Sequence, residues 1–73
     1  MQKVSYLVTE SFTMAMKGYR VLMRIGVNAR VDRLSPGMSR NGCGYSIVVY
    51  NDPQRMVEIL KRNNIRVKAI IEM

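Results

Sequence analysis

Cys43 is the residue in this sequence best suited to nucleophilic chemistry. The chain has one cysteine and no histidine. The thiol sits between Gly42 and Gly44, so no neighbouring side chain shields the sulfur, and the backbone there can take conformations that other residues resist. The thiolate is the nucleophilic form, and its pKa falls near a cation or a helix N-terminus. Arg40 is the cation closest in sequence. A thiolate of this kind can attack a sulfur or selenium donor. The structural alternative is a small apolar residue packed at the start of a strand. The missing histidine excludes a Ser-His or Cys-His pair within the chain and removes the commonest metal ligand. A single cysteine excludes an internal disulfide and any multi-cysteine metal site, and it suits a reducing compartment. These exclusions argue against a self-contained catalyst, and no cofactor and no metal are expected.

The elements that must position Cys43 follow from the pattern along the chain. Val4 to Thr9 is short and rich in β-branched and aromatic residues, the signature of a strand. Ser11 or Thr13 can cap a helix in which Phe12, Ala15, Met16, Tyr19, Leu22 and Met23 recur as one apolar stripe. Lys17, Arg20 and Arg24 fall on the other side, and Gly26 stops the helix after about Ile25. Asn28 to Leu34 alternates Ala29 and Val31 with Arg30 and Asp32, which predicts an edge strand with one wet face. Ser35 to Gly44 carries Pro36, three glycines and an asparagine, a loop too long for a tight hairpin. Tyr45 to Tyr50 is apolar almost throughout and reads as a central strand covered on both faces. Asp52-Pro53 starts a second helix that buries Met56, Ile59 and Leu60 and ends at Asn63-Asn64. Arg66 to Glu72 is the fourth strand, with Val67, Ala69 and Ile71 alternating with Lys68 and Glu72.

The order βαββαβ predicts one α+β domain over residues 1–73. It is a ferredoxin-like two-layer sandwich, a four-stranded antiparallel sheet in the order 4-1-3-2 with both helices on one face. In that topology the first two strands and the second helix finish at the same end of the sheet. Three connections meet there: the turn around Thr9 to Ser11, the Ser35 to Gly44 loop and the Asn63-Asn64 turn. Thr9 and Ser11 open the first helix, whose unpaired N–H groups and partial positive charge face the cysteine loop. They are the candidate supporting residues, with Arg40, Gly42 and Gly44.

Composition narrows the class of partner. Apolar residues make up 48% and charged residues 23%, a globular balance that argues against disorder. Twelve Lys and Arg against five Asp and Glu give a net charge of +7, which favours anionic partners. The opening Met-Gln-Lys-Val-Ser-Tyr has no signal-peptide core, and no stretch approaches about 20 apolar residues, so a cytoplasmic protein with no membrane segment is expected. A chain this short buries a modest share of its surface, and the predicted sheet has apolar residues on both faces while its helices cover one. A homodimer or higher assembly through the open face is the expectation.

With these residues in place, the chain resembles the selenium/sulfur carrier-like protein family over nearly its whole length. The resemblance rests on Tyr6-Leu7-Val8-Thr9, on Gly26 followed by Val27, on Pro36, on Cys43-Gly44 before an aliphatic strand, and on Asn64-Ile65-Arg66-Val67. It implies that Cys43 accepts sulfur or selenium as a persulfide or selenopersulfide from a donor enzyme and passes it to an acceptor enzyme. Relatives usually carry a serine where this chain has Gly42, and commonly an Ala-Glu step where Gly18-Tyr19 stand. The Cys-Pro element of the sulfur-relay carriers is absent.

A second class shares the predicted fold. In the RNA-recognition motif, aromatic residues on the first and third strands stack single-stranded bases. Here Tyr6 and Tyr45 are the candidate stacking residues, Gly42, Gly44 and Tyr45 match the third-strand pattern, and the positive charge suits nucleic acid. The alternative for both tyrosines is ordinary sheet packing. A small-ligand regulatory domain is a third possibility for such a fold.

Overall fold

A computed structural model of the chain describes residues 4–33 and 44–72. The described elements are β1 (Ser5–Thr9), α1 (Phe12–Arg24), β2 (Ala29–Arg33), β3 (Tyr45–Val49), α2 (Pro53–Arg62) and β4 (Ala69–Glu72). The strands form one antiparallel sheet in the order β2-β3-β1-β4, which is the expected 4-1-3-2 arrangement read from the other edge. Strand β2 lies at an edge and β3 is internal, as their hydropathy patterns require.

Register decides which side chains face the helices. Leu7 pairs with Ile47 and with Ile70, and Ala29 pairs with Val49. These residues join Ala15, Leu22, Met56, Leu60 and Ile65 in a single core, so both helices pack on the same face of the sheet. Leu7, Leu22, Ile47 and Leu60 are wholly removed from solvent. Burying a side chain of that size stabilises the fold by about 1.5–3 kcal/mol. On the opposite face Tyr6 pairs with Val48 and with Ile71, and Val8 with Ser46 and with Ala69, since neighbours in register share a face. Val48 and Ser46 are fully buried even on this side, so β3 is covered on both faces as expected.

The helix ends follow their sequences. Ser11 is the N-cap of α1, its hydroxyl accepting from the Met14 N–H at 3.2 Å. Gly26 holds φ at +82° beyond the last turn, the left-handed geometry that a side chain resists. Asp52 caps α2 by accepting from the Gln54 N–H at 3.1 Å, with Pro53 as the first helical residue.

Two expectations need correction. The buried line of α1 runs through Ala15, Gly18 and Leu22, while Phe12 and Met23 of the expected stripe are 52% and 48% exposed. Gly18 faces a filled space between helix and sheet: a Cβ built there would overlap Ile47 Cδ1 and lie 3.2 Å from Leu60 Cδ2. The fourth strand is also shorter than expected. It begins at Ala69, and Ile70 turns inward, while Ala69 and Ile71 take the opposite face. Ile65 and Val67 still reach the core from the segment before the strand.

Candidate functional site

One end of the sheet gathers the residues that sequence reasoning placed together. Thr9 closes β1 and pairs with Tyr45, the first residue of β3, while Arg33 closes β2 and pairs with Tyr45 from the other side. Gly44, immediately before Tyr45, is buried. Thr9 is 1% exposed, and its hydroxyl lies 3.1 Å from the carbonyl oxygens of both Tyr45 and Ser11, between which it shares its single proton. That bond ties the start of β3 to the turn that opens α1. The turn from Asn63 to Asn64 is at this end too, for α2 runs back toward it and Lys68 donates to the Val8 carbonyl at 2.7 Å.

The N-terminus of α1 carries N–H groups that can donate to an anion. Ser11 satisfies the Met14 N–H through its hydroxyl and the Ala15 N–H through its carbonyl. The Phe12 and Thr13 N–H groups have no partner among the described residues, and the first turn carries no acidic side chain to offset its partial positive charge. Phe12 also packs edge-on against Tyr45, with ring centroids 5.2 Å apart and planes at 68°, so an aromatic pair walls the start of β3. Sequence reasoning missed this role for Phe12, which it assigned to the helix core.

Thr9, Ser11, Gly44 and Tyr45 are therefore brought together. Arg40, Gly42 and Cys43 lie outside the described residues, as does Pro36. Tyr6 and Tyr45 are not brought together. Tyr45 pairs with Thr9 on the helix-covered face and meets Phe12, whereas Tyr6 pairs with Val48 and Ile71 on the other face. One stacking surface shared by the two rings is not formed. Among the described residues no helix is long and apolar enough to cross a membrane.

A family model described as "Putative Se/S carrier protein-like" matches residues 5–72. The chain belongs to this family. The match runs from β1 to the end of β4 and includes Cys43, so the family's extent coincides with the βαββαβ unit. No curated protein and no solved structure matches the chain significantly.

Proposed function

We propose that the protein is a sulfur or selenium carrier in which Cys43 holds the chalcogen between a donor and an acceptor enzyme. The observation that carries the reading is the family match across residues 5–72, which spans the Cys43-Gly44 dipeptide. The geometry of the described residues supports it. Gly44 follows Cys43 and leads into β3 at the sheet end where α1 begins with two N–H groups that have no partner among the described residues. A helix terminus of that kind favours a thiolate, which is the form that reacts.

In the transfer, the Cys43 thiolate attacks the outer sulfur of a donor persulfide. A new S–S bond forms at Cys43, the donor's S–S bond breaks, and the donor leaves as a thiolate while the proton stays on the transferred sulfur. Delivery is the same step reversed in direction, with the acceptor's thiolate attacking the outer sulfur on Cys43. Selenium follows the same course through a selenopersulfide. No oxidant is consumed, because one S–S bond replaces another.

Alkylation kinetics test the site. Cys43 should react with iodoacetamide faster than free cysteine at pH 7, and Cys43→Ser should leave the fold and thermal stability unchanged. Slow alkylation together with a clear loss of stability in Cys43→Ser would show a packed cysteine, since burial raises a thiol's pKa and a buried hydroxyl needs a partner.

A further inference from the structure

The cations of α1 do not stand alone in the folded chain. Lys17, Arg20 and Arg24 line one side of a shallow groove whose other side is the Asn63–Asn64 turn and whose floor includes Val21 and Ile65. A second groove continues from Asn64 and Ile65 and is lined by Lys61, Arg66 and the apolar Val57 and Val67. The two share Asn64 and Ile65, so they adjoin at this turn in a two-part basic channel.

The charge of this channel is of one sign. Five cations line it and no acidic residue does. Among the described residues the ion pairs are Arg30 with Asp32 and Arg62 with Glu58, both elsewhere. Lys17, Arg20, Arg24, Lys61 and Arg66 thus have no carboxylate partner there, and all five are exposed. The three on α1, Lys17, Arg20 and Arg24, are spaced at i, i+3 and i+7 and form a row about 10 Å long. Between the cations the floor is apolar, and no aromatic ring lines either groove. A nucleic-acid strand would find phosphate contacts but no surface on which to stack its bases. A peptide with carboxylates along its edge and aliphatic side chains beneath would satisfy both the charge and the floor.

We infer that this channel docks an acidic, amphipathic segment of a partner protein. Met14 lines the same groove and its N–H is held by the Ser11 cap, so the groove extends to the first turn of α1. The inference stands apart from the chemistry of Cys43 and would hold for any function that needs a protein partner.

The test uses the full chain and a fluorescein-labelled synthetic helical peptide with leucines on one face and glutamates along both flanks. Two variants carry the same net change of charge: Lys17→Gln/Arg20→Gln/Arg24→Gln in the channel, and Arg30→Gln/Arg33→Gln/Arg55→Gln outside it. The native chain should bind the peptide in a salt-dependent manner. The channel variant should bind at least about tenfold more weakly, while the outer variant stays within about twofold of native. Circular dichroism confirms that each variant is folded, and peptide with glutamine in place of glutamate should lose binding to the native chain. Equal losses in the two variants would show that overall charge, and no built surface, attracts the peptide. Tighter binding of an oligouridine than of the peptide, lost in the channel variant alone, would assign the channel to RNA and overturn the inference.

Discussion

Gly18→Ala adds one methyl group where α1 packs against β3 and α2, and its effect can be worked from the neighbours. The methyl would overlap Ile47 Cδ1, a fully buried atom, with Leu60 Cδ2 already at 3.2 Å on its other side. Alanine gains about 1 kcal/mol over glycine in a helix interior. Overpacking a filled core costs about 1–3 kcal/mol. The net expectation is a loss of about 1 kcal/mol, or roughly 4–8 °C in melting temperature for a domain of this size. Ile47→Val removes the overlapping Cδ1 and alone should cost about 0.5–1.5 kcal/mol. With that atom gone the alanine methyl fits, so the double variant should be more stable than Ile47→Val by about 1 kcal/mol. A double-mutant cycle by urea denaturation would then show a favourable coupling of about 2 kcal/mol. If Gly18→Ala alone stabilises the protein and the cycle is additive, Ile47 has swung aside at no cost and the packing argument is wrong. The overlap gives this glycine a local reason: the space is filled from the β3 side.

The remaining predictions concern the sheet end and its tyrosines. Thr9→Val should lower stability by about 1 kcal/mol in chemical denaturation, because the Tyr45 and Ser11 carbonyls lose a shared buried donor, and Thr9→Ser should restore most of it. Ser11→Ala should cost about 1 kcal/mol through the lost cap, while Ser11→Asp should hold or exceed native stability because the first turn of α1 carries no other acid; an unchanged melting temperature in Ser11→Ala would remove the cap's role. Tyr45→Ala should destabilise the domain through its Phe12 contact, and neither it nor Tyr6→Ala should alter affinity for single-stranded RNA in a fluorescence titration, because the rings lie on opposite faces. RNA binding that fails in both variants while the fold persists would restore the stacking interpretation.

The element order was readable because its signals are local. Asp52-Pro53 starts α2, Gly26 ends α1, and Ala29 and Val31 alternate with Arg30 and Asp32, each a matter of a few adjacent residues. The packed face of α1 was not readable in full, since Gly18 contributes no hydropathy and earns its place only by what it leaves room for. Strand parity places Tyr6 on one face with Val4 and Val8, and Tyr45 on one face with Ile47 and Val49. Which parity faces the helices depends on the pairing of Thr9 with Tyr45, a long-range fact that composition cannot supply. The basic channel shows the same limit. Lys17, Arg20 and Arg24 were visible as a stripe, but Lys61 and Arg66 join them only when the helices pack on one face of the sheet. Of the candidate site, Thr9, Ser11, Gly44 and Tyr45 converge as topology required, while Cys43 lies outside the described residues and its role rests on chemistry and family.

Intact mass spectrometry tests the central claim most directly. The native chain and Cys43→Ser are each incubated with a cysteine desulfurase and free cysteine, then desalted without reductant. The account predicts that the native chain gains the mass of one sulfur atom, that thiol reductant removes it, and that Cys43→Ser gains nothing, because a hydroxyl forms no perthio bond. Native protein that stays at its unmodified mass while the desulfurase turns over would contradict it, and so would equal sulfur uptake by Cys43→Ser.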